Sequence, residues 1–412
     1  MKPPEALALS PENPSPPRFV QPALLIGLVV FCWWICTVAQ LEKYLSLGRA
    51  TVVCGIGCAG VALLMLLLRR SYGLGRDVSV WALVALFCVL VLSFAVLYPQ
   101  SQRHVVGIGS DREDALRVEL FAVTHHRYPY DARTYLNHAP TPLPGAMLLA
   151  APFYFAGRIA LENLVWAALF FYFLTLFFCK RITALAFAFL FVLTALENLN
   201  DFDVGGDYMV NVMYVSIALW TFARAVSRPN TTWRTLLAVV FLGIALSSRI
   251  LYLVTIPPML ALALQRTQPR RAWFLIGGVL LTAALVTLPV LSPHVLQHLQ
   301  AQLNQNADKL RPLPPYLRGR ALSLAAMALA CSSFFLQMTL RRVFLLAGVS
   351  SLIMVLPPMA LIVHLGGGFA RPLTTDLEYF AVSAVFIALW VFARWEQTSI
   401  ANTMPASRLS PV

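Results

Sequence analysis

Charge is scarce in this sequence. Only 12% of its 412 residues are charged, about half the share usual in a soluble domain. Acidic residues are scarcer than basic ones, 18 against 31, which leaves a formal net charge of +13. The basic residues do not gather in one domain with aromatic platforms, so a nucleic-acid-binding protein is excluded. No CxxC occurs, and the seven cysteines all lie in or at the ends of apolar runs. That excludes a disulfide framework and a zinc site; Cys32, Cys36, Cys54 and Cys58 read as small apolar packing residues. The two-residue alternation of a membrane β-barrel is missing. No internal repeat is present, so the inverted-repeat plan of many secondary transporters is missing too. No small-residue cleavage site follows the first apolar run, Pro22 to Val38, which therefore reads as an anchor.

What the chain has instead is apolar length: 59% of its residues are hydrophobic, in runs several of which reach the roughly 20 residues a helix needs to cross a bilayer. Hydrocarbon forces the backbone to satisfy its own hydrogen bonds, so such runs become helices. The expected fold class is an all-α polytopic bundle of about 11 to 13 transmembrane helices. Arginine clusters mark the cytoplasmic side. They are Arg69/Arg70/Arg76, Lys180/Arg181, Arg224/Arg228/Arg234, Arg266/Arg270/Arg271 and Arg341/Arg342. The resulting plan has a disordered cytoplasmic tail at 1–20, N-terminal spans at 21–98 and an external loop at 99–143. A bundle at 144–395 follows, with a second external loop at 291–320, and a cytoplasmic tail closes the chain at 396–412. Two regions resist simple counting. Leu143 to Phe178 is too long for one straight span, so 144–157 reads as a re-entrant or interfacial piece unless one cytoplasmic marker is wrong. Each half of 235–264 is short for a span.

This plan puts the acids together. Asp111, Glu113, Asp114, Glu119 and Asp131 fall in one external segment; Glu197, Asp201, Asp203 and Asp207 fall in another on the same face. His104, His125, His126 and His138 join the first. In Ser110-Asp111-Arg112-Glu113-Asp114, Ser110 can cap a helix starting at Asp111, and Asp111 and Asp114 then share a helix face. The plain reading is an amphipathic surface helix; the chemical one is a carboxylate serving as general base for an acceptor hydroxyl. Glu113 points to another face and is expected to tolerate Gln. Arg127-Tyr128-Pro129-Tyr130-Asp131 and Pro140-Thr141-Pro142-Leu143-Pro144-Gly145 are kept extended by their prolines, either as a docked loop or as a cleft wall. Asp201-Phe202-Asp203-Val204-Gly205-Gly206-Asp207 does not have the spacing of a calcium loop and reads as a solvated turn. Arg249, among Ser247, Ser248 and Tyr252, is a cation in apolar surroundings. It either snorkels from a short helix or binds an anion such as a lipid phosphate. The amphipathic stretch Pro293 to Leu310 is polar enough to lie on the membrane.

Together these residues resemble the membrane glycosyltransferases of the C-type fold, polyprenyl-phosphate-mannose-dependent mannosyltransferases among them. The likeness is carried by Ser110 to Leu116, by Tyr128-Pro129-Tyr130-Asp131, by Pro142-Leu143-Pro144 with Pro152-Phe153, and by Gly243 to Arg249 with Pro257-Pro258. It covers roughly residues 80–290. Here the acidic loop follows the third apolar run rather than the first, as though a pair of spans had been added at the N-terminus. The resemblance implies an inverting transfer of a hexose, mannose for instance, from a polyprenyl-phosphate carrier to a lipid, glycan or protein acceptor at the outer face of a bacterial cytoplasmic membrane. Asp111 would be the base with Asp114 beside it. Arg249 and Arg127 would stabilise the leaving phosphate, and Tyr128, Tyr130 and Asp131 would line the substrate site. No cofactor and no resident metal are implied; a divalent cation would at most assist. Two other readings stay open. A transporter or lipid flippase would place ionisable residues along its midplane helices, and here they sit mainly in loops. A lipid-linked glycan polymerase or ligase would have its main loop late in the chain.

Overall fold

The structure, a computed structural model, describes residues 21–74, 77–102, 111–228, 232–292, 297, 319–365 and 378–403. The N-terminal tail, Ser110, His104 and nearly all of 293–318 lie outside the described residues. Those described are helical or irregular, with no strand among them.

The first helices are α1 (Pro22–Ile35), α2 (Val38–Tyr44), α3 (Leu47–Gly73), α4 (Val80–Ser101) and α5 (Arg112–Thr124). Then come α6 (Pro144–Phe155), α7 (Leu161–Phe177), α8 (Arg181–Ala188), α9 (Leu196–Asp203), α10 (Tyr208–Val226) and α11 (Trp233–Leu246). The chain ends with α12 (Ile256–Arg266), α13 (Pro269–Leu291), α14 (Gly319–Cys331), α15 (Leu340–Leu365) and α16 (Glu378–Thr403). Pro22, Pro144 and Pro269 stand in the first turns of their helices, where a missing N–H costs nothing. Six helices among the described residues are long and apolar enough to cross a membrane, or seven if the bent α8–α9 pair is one span. The protein is an integral multi-pass membrane protein on that ground. Several more apolar helices, α6, α7 and α11 among them, are shorter. α16 runs on to Thr403, past the boundary expected at 395.

The core is aromatic. Phe173 and Phe177 of α7, Phe187 of α8, Phe344 of α15 and Phe392 of α16 pack edge-to-face, tilted or stacked against neighbouring rings, in the geometries that aromatic quadrupoles favour. Outward faces remain apolar: Ile56 on α3, Trp81 on α4 and Leu281 on α13 are all exposed. In water such faces would be a liability; against lipid they cost nothing.

The hydrogen bonds sort the connections into two ends. At one end the Tyr72 hydroxyl meets that of Thr183, Asp77 accepts from the Ile182 N–H at 3.0 Å, and Arg271 donates to the Arg228 carbonyl. Basic clusters that are far apart in sequence thus share one end of the bundle. At the other end, the Leu143 N–H donates to Ser248 O at 3.1 Å, and Asn163 donates to the carbonyls of Phe202 and Gly206 at 3.0 and 3.1 Å. Leu143 and Asn163 lie at the same end, so the intervening α6 turns back without traversing the bundle.

The chain between α8 and α9 carries one π-helical turn, Phe189–Leu193, and then bends by 70°. The Asn198 amide donates to the Phe191 carbonyl at 2.7 Å, meeting a group the break frees. The bend aims the acids of α9 across the end of the bundle toward α5.

Candidate functional site

α5 lies over this end and is pinned there by its own acids. Asp111 occupies the N-cap position, one residue before the first helical residue, so the helix begins later than a cap at Ser110 predicts. Glu113 is 5% exposed and accepts from the Tyr98 hydroxyl at 2.9 Å and from Gln102 at 2.8 Å. Burial pushes its carboxyl above the usual range, and the Tyr98 bond offsets part of that. Glu113 is therefore a buried anchor, because α5 turns that face onto α4. Asp114 accepts from the Arg117 guanidinium at 2.7 Å and from the Tyr135 N–H at 2.7 Å. Asp111 accepts at one oxygen from the Thr134 hydroxyl at 2.6 Å and bonds His138 Nδ1 at 2.9 Å. Asp111 and Asp114 thus hold the same loop, 134–138, and Asp111 is the more accessible, its side chain 19% exposed against 10%.

The loop then runs to a second anchor. The Tyr130 hydroxyl donates to the Pro142 carbonyl at 3.0 Å, and Tyr128 packs edge-to-face on Tyr130 at 5.5 Å. Leu143 and Gly145 donate to the carbonyls of Ser248 and Ser247 at 3.1 and 3.2 Å. A β-carbon on Gly145 would collide with the Ile244 carbonyl, so only glycine permits this approach. Two motifs a hundred residues apart, Pro142-Leu143-Pro144-Gly145 and Ser247-Ser248-Arg249, are one structural unit.

Arg249 leaves that unit toward α10. Its Nη2 donates to Asp207 at 2.5 Å and its Nη1 to the Thr141 hydroxyl at 3.1 Å, while its guanidinium stands 4.5 Å from the centroid of the Tyr208 ring. A second guanidinium, Arg112 of α5, stands 4.7 Å from the same centroid and bonds Asp201. Asp201 also accepts from the Met209 N–H at 2.8 Å, at the start of α10. Both arginines are nearly buried, 13% and 14% exposed at the side chain. Cation–π contacts of this kind are strongest when desolvated, and a buried guanidinium needs its carboxylate. The acids 201, 203 and 207 are 3%, 2% and 5% exposed. The solvated turn expected there is a buried one: Gly205 takes a φ of 76°, and Gly206 is pressed against Asp201.

Deeper still lies Glu119, on the inner face of α5. It is 0% exposed, and neither of its carboxyl oxygens accepts a hydrogen bond. Burial drives its carboxyl well above the usual range; the charge of Arg249 opposes this and that of Asp207 adds to it.

The residues expected at the site divide. Asp111, Asp114, Arg249 and Tyr130 belong to one connected assembly, with Tyr128 packed on Tyr130. Arg127, past the C-terminus of α5, and Asp131, on the short turn Pro129–Asp131, are exposed. Arg112, Tyr208, Thr141 and Glu119 stand in the assembly without a role of their own expected from the sequence. The one signal for Arg112 was its place beside Asp111 in an otherwise acidic run. No group of three or more His, Cys, Asp or Glu side chains suited to a metal ion occurs among the described residues. Compared with known proteins, the chain matches no family model, no curated protein and no solved structure.

Proposed function

We propose that this protein is a glycosyltransferase that moves a sugar from a polyprenyl-phosphate carrier to an acceptor hydroxyl at the non-cytoplasmic membrane face. The observation that carries the reading is the pair of guanidiniums, Arg112 and Arg249, held over one Tyr208 ring at the end of an apolar bundle, with Asp111 next to Arg112 in the chain. A lipid carrier approaches along the exposed apolar faces, and its phosphate needs a fixed cation near the interface. In this reading Asp111 takes the proton of the acceptor hydroxyl and the hydroxyl oxygen attacks the anomeric carbon. The bond from that carbon to the phosphate oxygen breaks, and the electron pair leaves with the polyprenyl phosphate, giving inversion. Arg249, with Arg112 in the supporting place expected for Arg127, stabilises the charge that builds on the phosphate, and a nearly dry site strengthens that effect. Asp114 holds the loop carrying Thr134 and His138.

The test is incubation of membranes containing the protein with labelled polyprenyl-phosphate sugars. Label leaves the lipid in protein-dependent fashion if the reading holds, and Arg249→Ala stops it. Retention of all label on every carrier contradicts it.

A second reading is favoured by one finding. Glu119, Asp203 and Asp207 are buried, so the argument that the acids sit in loops no longer weighs fully against a transporter of organic anions. In that case the anion crosses intact, and no sugar is released from its carrier.

A further inference from the structure

Glu119 stands out because the other buried acids of this end each accept a hydrogen bond, Glu162 from Trp166, Glu197 from Gln40 and Asp203 from Ser93 among them. Glu113 has Tyr98 and Gln102, Asp114 has Arg117, Asp201 has Arg112 and Asp207 has Arg249. Glu119 has burial without a hydrogen bond. Its charged neighbours are the Arg249–Asp207 pair. An ionised carboxylate in that position would face a guanidinium already neutralised at 2.5 Å by Asp207, and would gain little for its desolvation.

We infer that Glu119 is a proton-binding group coupled to Arg249, so that an anionic ligand and a proton occupy this end of the bundle together. The inference rests on the anion-binding half of the function proposed above. An anion at Arg249 adds negative charge beside Glu119. A neutral Glu119 carboxyl tolerates it; an ionised one repels it. Mutual linkage then requires that the anion strengthen proton binding at Glu119 as much as the proton strengthens anion binding. The proton comes from solvent and no other group is exchanged. The groups facing this carboxyl or its partners are Arg249 after α11, Asp207 and Tyr208 at the start of α10, Tyr130 on the turn 129–131, Glu162 on α7, and Arg112 with Asp201 across Tyr208. Of these, Asp207 opposes ionisation of Glu119 and Arg249 favours it. The direction of coupling is therefore set by whether Arg249 is available to Glu119 or taken by the anion.

The experiment uses the full-length protein in detergent and a short prenyl methyl phosphodiester, a probe whose single charge is constant across the pH range. Binding is followed by calorimetry in two buffers of different ionisation enthalpy. About one proton is taken up per ligand in the pH range where Glu119 titrates, and affinity falls by about tenfold per pH unit there as pH rises. In Glu119→Gln, uptake is lost and affinity stays at the low-pH level. No proton uptake by the natural protein overturns the inference, as does no probe binding at any pH, and neither result depends on how the variant folds. Uptake that persists in a folded Glu119→Gln overturns the assignment to this residue. Proton-linked binding without label release from a lipid-linked sugar leaves the inference standing and sinks the glycosyltransferase reading; label release with pH-independent probe binding does the reverse.

Discussion

Two carboxylates at opposite ends of the bundle show what burial alone does and does not mean. Glu396 of α16 and Glu119 of α5 are 1% and 0% exposed. Glu396 accepts from the N–H groups of Cys179 and Lys180 at 2.8 and 2.7 Å and from the Thr183 hydroxyl at 2.9 Å. It sits on the N-terminus of α8, where orphan donors and the helix dipole both welcome a negative charge. Three donors serve its two oxygens, and the site is an internal cap. Glu119 has none of this. At about 1.5 Å per residue, α7 separates the two regions by roughly 25 Å. The basic end is closed by its own bonds; the acidic end holds charges whose needs its own side chains only partly meet. That difference, more than the number of acids, is the ground for the site proposed at the acidic end.

The comparison predicts a hierarchy of effects. Glu396→Ala removes the acceptor of two backbone N–H groups and a buried hydroxyl, and it should cost stability of about 3–5 kcal/mol, seen as a large drop in thermal unfolding temperature in detergent. A shift no larger than that of a surface substitution would break the contrast at its closed end. Gly145→Ala comes next. Its β-carbon meets the Ile244 carbonyl, so the pairing of 143–145 with 247–248 must give, at about 1–3 kcal/mol. Arg249 is displaced with it, so anion binding should weaken alongside stability. Unchanged binding would separate the Pro-Gly segment from the site.

Both ends were only partly legible in the sequence. The arginine clusters predicted that distant loops share one end, and Tyr72 with Thr183 and Arg271 with Arg228 bear out that grouping, because small cationic clusters between apolar runs have one meaning in a membrane chain. Asp111 and Arg249 were picked out for opposite reasons, one as an acid in a dense polar run and the other as a cation in an apolar one. Their link through the loop 134–145 could not be read, since spacing says nothing about which loops meet. Asp201 to Asp207 look solvated because Gly205-Gly206 is the usual signature of an exposed turn. Burial there depends on Arg112 and Arg249 arriving from two other elements. Glu396 went unnoticed because its partners are backbone groups 216 and 217 residues away.

Smaller effects sharpen the contrast. Burial holds Glu119 protonated in the folded state above the ordinary carboxylate range. The unfolded chain gives up that proton first, so stability is lost as pH rises through the folded value. Glu119→Gln should flatten this dependence in thermal unfolding between acidic and alkaline buffers; an equally steep profile in the variant would mean that another group titrates. Asp114→Asn loses the Arg117 pair and weakens the bond from Tyr135, an effect of about 1 kcal/mol, with donor binding retained. Arg127→Ala and Asp131→Ala, both exposed, should change stability by less than about 0.5 kcal/mol. A fall in donor affinity in either would return that residue to the site.

The central claim is that Asp111 is the base and the paired guanidiniums are the donor's anchor, and one measurement separates the two roles. Asp111→Asn keeps the size of the side chain and a group able to hydrogen-bond Thr134 and His138, but cannot accept a proton. Donor binding and single-turnover transfer are to be measured on the same purified variant with a labelled polyprenyl-phosphate sugar. The account predicts donor affinity near that of the natural protein and transfer reduced by about 10²-fold or more. Near-normal transfer by Asp111→Asn would contradict it and move the search for the base to Asp114 and then to the buried acids between Asp201 and Asp207.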